Sequence, residues 1–342
     1  MRIILFFWLI IGWGLAGYAS AQVVGMQSIA IANPERAANI NALVWYPTKA
    51  SESQVLIGDN AVFRGTAAFR DGPILDGRFP LVIIAHGGFR SSPHSVNWLA
   101  STLAGNGYIV AVVNPPKLPM GPASQKILDE FWQRPGDLSA TIAALISEKT
   151  FSKHLVPDRV GAIGFFLGGY TTLALAGARV DQTGFTNACQ GDRQRFDCAW
   201  FAQGGVDLSR FDSDRLGKSY RETNLLTTVV IDPEWMHLFS SASLEAIDRP
   251  VHFINTGPWA ASGSPLNASA VAEILPKAHY TTIKPAGKYS SFAECKPKGV
   301  FILQEEGADS RLCDDGPESP TRAETHQRLI NAILGILDQD LK

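Results

Sequence analysis

The chain has 342 residues, 46% of them hydrophobic, and a formal net charge of -2. It can bury a large core, and its charge gives no reason to expect nucleic acid or an anionic membrane as partner. Length alone allows two domains, although a large α/β fold often fills this size as one.

Residues 1–21 read as a secretory signal peptide. Arg2 supplies the positive start, Ile3 to Leu15 the apolar centre, and Ala19-Ser20-Ala21 a cleavage site before Gln22. The apolar run is short for a bilayer span, so a cleaved signal and a periplasmic or secreted product without stable membrane insertion are expected. Export gives meaning to Cys189, Cys198, Cys295 and Cys313, an even number with three possible pairings. The local pairs Cys189–Cys198 and Cys295–Cys313 are favoured, each stapling one polar loop. No C-x-x-C or nearby His spacing supports a metal.

Asn39 to Tyr46 alternates like a strand and stops at Pro47. Ser51 to Arg78, rich in Gly, Asp and Ala, reads as an irregular connection. Leu81 to Ala85 is a continuous apolar run, suited to a strand buried on both faces. It leads into His86-Gly87-Gly88-Phe89-Arg90. Ser95 to Ala104 places Val96, Leu99 and Leu103 on one helical face, and Tyr108 to Val113 is the next buried strand. A helix is expected after Pro135, with Leu138, Ile142, Leu145 and Ile146 as its stripe, and Pro157-Asp158 separates it from the following strand. About 181–224 reads as a loop excursion over the sheet. Leu225 to Ile231, Pro250 to Asn255 and His279 to Ile283 are further strands. A terminal helix from Ser319-Pro320 buries Leu329, Ile330, Ile333, Leu334 and Leu337. Strands alternating with helices imply a mostly parallel sheet covered on both faces, and residues 22–342 are expected to form one domain.

The centre of this pattern is Arg159 to Ala176, where an apolar run ends in glycines and an Ala/Leu helix follows at once. This is the strand–turn–helix context of a G-x-S-x-G nucleophile elbow, with Phe166 where the motif places its nucleophile. Together with Phe79 to Gly87, Phe131 to Asp137, Asp232 to Met236, Pro250 to Asn255 and Tyr289 to Cys295, it resembles the bacterial proteins labelled predicted dienelactone hydrolases. It also looks like platelet-activating-factor acetylhydrolase, within the α/β-hydrolase superfamily. The resemblance implies an α/β-hydrolase fold, a mostly parallel central sheet with helices on both faces, and a Ser-Asp-His mechanism acting on esters.

The resemblance places the nucleophile, acid and base at Phe166, Asp232 and Lys288, and the oxyanion amides at Gly88 and Leu167. Only the carboxylate keeps its chemistry. Phe166 has no lone pair to attack with, and an elbow holds its residue in a backbone region that costs a bulky side chain ~1–3 kcal/mol. Either the turn relaxes or the ring fills the pocket. Lys288 beside Asp232 would form an ion pair in place of the Asp–His contact. The expected function is an exported α/β-hydrolase-fold protein without hydrolytic activity, binding a small ester-like or lipid-like ligand and needing no cofactor. The alternative is a carboxylic-ester or lactone hydrolase with a rearranged site, for which Lys288, with its pKa lowered by burial, Thr171, Thr172, His86, His94, His237, Ser290 and Ser291 are the candidate groups.

Overall fold

The computed structural model describes residues 23–49, 53–88, 91–116, 125–189, 198, 201–202, 204–316 and 319–342. The signal-like segment 1–21, most of the Cys189–Cys198 loop and the loop at 117–124 lie outside these. Ten strands form one sheet in the order β10-β9-β8-β7-β5-β6-β2-β1-β4-β3. They are β1 (Val24–Ile31), β2 (Ile40–Pro47), β3 (Val55–Ile57), β4 (Thr66–Arg70), β5 (Phe79–Ala85), β6 (Ile109–Asn114), β7 (Leu155–Phe165), β8 (Leu225–Ile231), β9 (Val251–Thr256) and β10 (Ala278–Ile283). From β6 to β10 every neighbouring pair is parallel, while β1 and β2 add an antiparallel edge.

Side chains alternate across a strand, so a strand buried on both faces divides its residues between two cores. Leu81, Ile83 and Ala85 of β5 face one core with Ile109, Ala111 and Val113 of β6. Val82, Ile84, Val110 and Val112 face the other. Helices α1 (Asn97–Gly105) and α4 (Arg322–Leu341) cover the second core through Leu99, Leu103, Leu329, Ile333 and Leu337. Helices α2 (Glu130–Ser147) and α3 (Leu167–Ala176) cover the first through Leu138, Ile142, Leu145, Leu173 and Leu175. Thr321 and Glu324 close a capping box at the start of α4, and Leu341 takes a buried place there while Ile330 and Leu334 are only half-buried.

Three sequence expectations are corrected. Ser51 to Arg78 contains β3 and β4, with β4 pairing in parallel to β1, a strand the sequence pattern passed over. Helix α2 begins at Glu130, so Pro135 lies inside it. A proline there frees the carbonyl of Phe131, four residues earlier, and the Tyr170 hydroxyl donates to that oxygen at 3.2 Å. Pro157 and Asp158 belong to β7 as a bulge: Phe79 pairs with Leu155 and Leu81 with Val160, so β7 carries extra residues between the two pairs.

Two disulfides join Cys189 to Cys198 and Cys295 to Cys313. Among the described residues, no helix is long and apolar enough to cross a membrane.

Candidate active site

The carboxyl ends of β5, β7, β8 and β9 bring the sequence-assigned residues to one end of the sheet, where open parallel sheets hold ligands. At the end of β7 the backbone turns sharply into α3 through Phe166, at φ 51 and ψ -118. The turn has not relaxed. It is tight because nothing larger than hydrogen fits beside it: a Cβ on Gly164 would fall on the Gly168 carbonyl, and one on Gly168 would fall on the Ala85 carbonyl. The Phe166 N–H donates to Ile231 at 3.0 Å, and its carbonyl accepts from Gly169 at 2.8 Å and Glu234 at 3.1 Å.

The Phe166 side chain is 6% exposed. It lies against the backbone of Gly87, where an added Cβ would sit 2.8 Å from the Phe166 Cβ, and its ring centroid is 5.6 Å from that of Phe292. The ring therefore occupies the space beside the oxyanion loop, the second of the two outcomes that the sequence left open. Gly88 sits in that loop at φ 74, and its carbonyl accepts from the Arg134 guanidinium at 2.9 Å. Leu167 is the first residue of α3.

Asp232 follows β8 at φ 45 and is wholly buried. Its Oδ1 accepts from Asn255 Nδ2 at 3.0 Å and the Thr256 amide at 2.8 Å, and its Oδ2 accepts from the Thr256 hydroxyl at 2.6 Å. Burial pushes its carboxyl up to about 7, while the three hydrogen bonds oppose the shift. The carboxylate thus locks the ends of β8 and β9 together.

Lys288 does not complete the site. The chain after β9 passes the 285–288 loop closely enough that a Cβ on Gly257 would meet the Ala286 carbonyl, so the loop stands near Asp232. The Lys288 side chain is exposed, however, and its ammonium lies 5.2 Å from the centre of the Trp259 ring. Its carbonyl accepts from Trp259 Nε1 at 2.8 Å. Among the described residues, Lys288 and Asp232 form no ion pair, which corrects the sequence expectation. An exposed ammonium gains from an aromatic face without losing its water, whereas reaching Asp232 would require dehydrating it.

The hydroxyls of Thr171, Thr172 and Ser290 are committed elsewhere. Thr171 and Thr172 bond back to the carbonyls of Leu167 at 2.9 Å and Gly169 at 3.2 Å. Ser290 is buried and donates to Asp315 at 2.8 Å, and the Ser291 carbonyl accepts from Trp98 at 3.1 Å. His237 is exposed, its ring 5.8 Å from that of Trp235. His86 is different. Its Nδ1 lies 2.5 Å from the hydroxyl of Ser91, a residue the sequence gave no motif to single out, and its Nε2 has no hydrogen-bond partner among the described residues. Burial, aided by the Arg134 charge, lowers the imidazole to about 3. A base so weak accepts a serine proton poorly.

No family model matches the chain. Among solved structures, a ferulic acid esterase from Streptomyces cinnamoneus aligns with a TM-score of 0.62 and 16% identity, over 95% of this chain and 92% of that one. The fold is that of an α/β-hydrolase. A dienelactone hydrolase-like promiscuous phosphotriesterase from metagenomic libraries aligns at a TM-score of 0.51 and 12% identity, over 93% of this chain and 99% of that one. In sequence, 92 residues are 30% identical to lipase 1 of Moraxella sp. (strain TA144), 27% of this chain but only 26% of the lipase. In this fold the sharp turn after β7 carries a phenyl ring at Phe166, and Asp232 is buried at the end of β8.

Proposed function

We propose that the chain is an exported α/β-hydrolase-fold protein, related to dienelactone hydrolases and acetylhydrolases, that binds a small ester-like or lipid-like molecule without hydrolysing it. One observation carries this reading: the ring of Phe166 is buried against Gly87 and Phe292, beside the Gly88 and Leu167 amides that would serve an oxyanion. Triad members act as a unit, so the absence of nucleophile and base removes nearly all of the rate. Asp232 supports the same reading, since a carboxyl half-protonated near neutrality orients an imidazolium poorly. The ligand class is an analogy with proteins named as an esterase, a dienelactone hydrolase-like enzyme and a lipase. The two disulfides fit an oxidising compartment.

The short Ser91–His86 contact favours a second reading, a hydrolase with Ser91 as nucleophile. Against it stands the imidazolium this would create, fully buried beside Arg134. The test is turnover of short acyl esters, with fluorophosphonate labelling, for the mature protein, Ser91→Ala and the Phe166→Ser, Lys288→His double variant. The expected result is no turnover and no label in the first two. Turnover by the unaltered protein that vanishes in Ser91→Ala would replace the first reading with the second.

A further inference from the structure

The loop after β5, the β3–β4 connection and the loops around Phe292 and Leu312 enclose a cavity of about 290 Å³, close to the lower end for small-molecule sites. Phe292, whose ring centroid is 5.6 Å from that of Phe166, is part of its lining. Phe63, Phe292 and Leu312 give it apolar walls, and Ser91, Ser95 and His94 give it polar ones. Among the described residues, no Asp, Glu, Lys or Arg lines it.

The hydrogen-bonding sense of the polar wall follows from its own contacts. Ser95 donates its proton to the Ser92 carbonyl at 2.7 Å. The single proton of Ser91 is engaged within the protein, between His86 Nδ1 at 2.5 Å and the Gly88 carbonyl at 3.3 Å. Both oxygens therefore offer lone pairs to a ligand. Asn97 Nδ2 donates to the Ile57 carbonyl at 3.3 Å, which fixes its amide orientation, and it also lies 3.1 Å from His94 Nδ1. That nitrogen stands where it can accept from the amide.

The wall is formed in advance. The carbonyls of Phe292, Ala293 and Leu312 each accept at 2.9 Å, from His326, Arg322 and Arg322 respectively. The Cys295–Cys313 disulfide ties the two segments together. A preformed site spends little binding energy on ordering itself.

We propose that this cavity binds a neutral aromatic molecule carrying a hydroxyl group, a small phenol in chemical class. The proposal goes beyond the non-hydrolytic reading above, to a second cavity and a different ligand class. Aromatic walls favour a ring. The Ser91 and Ser95 oxygens ask for a donor, which a hydroxyl supplies, and among the described residues no cation lines the cavity to neutralise a carboxylate.

The test is calorimetric titration of the mature protein with 4-ethylphenol, ethylbenzene and 4-ethylbenzoate. The phenol is expected to bind saturably at one site, about tenfold more tightly than either analogue, the worth of one or two neutral hydrogen bonds. Ser95→Val is expected to weaken the phenol by about fivefold and leave ethylbenzene unchanged. Leu312→Trp, which fills the space, is expected to abolish binding of both, with melting curves confirming that each variant folds. Absence of saturable phenol binding, equal affinity for phenol and ethylbenzene, or unaltered binding in Ser95→Val would each overturn the proposal. Ester turnover is read in a separate assay. Its appearance would remove the non-hydrolytic reading while the phenol titration still reports on the cavity.

Discussion

Asp232→Asn isolates the energetic consequence of burying the acid without its partner. Burial holds the Asp232 carboxyl at about 7 in the folded protein, against 3.8 for an ordinary aspartate. Because the folded value lies above the unfolded one, the folded state holds the proton more tightly between these two pH values. The stabilising effect of the protonated acid is fully present below pH 3.8 and is lost as pH rises through 7. Each pH unit in that interval is worth about 1.4 kcal/mol, so the loss is about 4 kcal/mol, large beside a typical domain stability of about 5–15 kcal/mol. Asparagine imitates the protonated acid. Its oxygen accepts from Asn255 and the Thr256 amide, and its amide donates to the Thr256 hydroxyl once that hydroxyl rotates. Urea denaturation of both proteins from about pH 4 to pH 8 reads the difference, and subtraction cancels the titration of other groups. The variant is expected to gain on the unaltered protein by about 4 kcal/mol over that range. A gap constant to within about 1 kcal/mol would refute the reasoning, because it would mean that the carboxyl titrates alike in both states.

Three other perturbations have definite outcomes. Arg36 bonds Glu130 at 2.6 Å and Asp137 at 2.5 Å, both carboxylates buried, so Arg36→Met is expected to lower stability by about 3–5 kcal/mol in the same urea assay. Gly168→Ala drives a methyl group into the Ala85 carbonyl and is expected to cost about 3 kcal/mol or more, read as a lowered midpoint or as loss of soluble protein. Replacing Cys295 and Cys313 by serine opens a loop closed across 18 positions and is expected to cost about 3 kcal/mol, with phenol binding weakened as the Leu312 wall loosens.

What the sequence revealed and what it concealed follow one physical division. Strands β5, β6 and β8 and the second half of β7 were readable because a stretch covered on both faces is largely apolar, whereas the polar first half of β7, with Pro157 and Asp158 inside it, looked like a boundary. The elbow was readable because close backbone contact leaves glycine no substitute. Strands β3 and β4 were not, because three and five residues at a sheet edge carry little pattern and pair only once β1 is in place. The start of α2 was hidden because Pro135 looks like a boundary until Tyr170, distant in sequence, takes the freed carbonyl. In the site, the Asp232–Lys288 pairing was a sound local expectation that lost to Asn255 and Thr256. Those two residues read only as the end of a strand, and no local signal shows that their donors reach back to β8. The Ser91–His86 contact has no motif at all, only a separation of five residues that a loop brings together.

The strain at Phe166 shows which features of the fold catalysis does not dictate. A phenylalanine at φ 51 persists only where its surroundings determine the backbone more firmly than its side chain does. Three backbone hydrogen bonds hold residue 166 from β8, from α3 and from the loop after Asp232. The Gly164–Gly168 and Gly168–Ala85 contacts leave no room for the turn to open. None of these interactions involves the side chain at 166. The bend is therefore imposed by the packing of β5, β7 and α3, and the residue at its apex is free to change chemistry provided its side chain has somewhere to go. Phe292 gives the ring an apolar neighbour that offsets part of the backbone cost. Phe292, which packs against the Phe166 ring, also lines the cavity at Ser91 and Ser95.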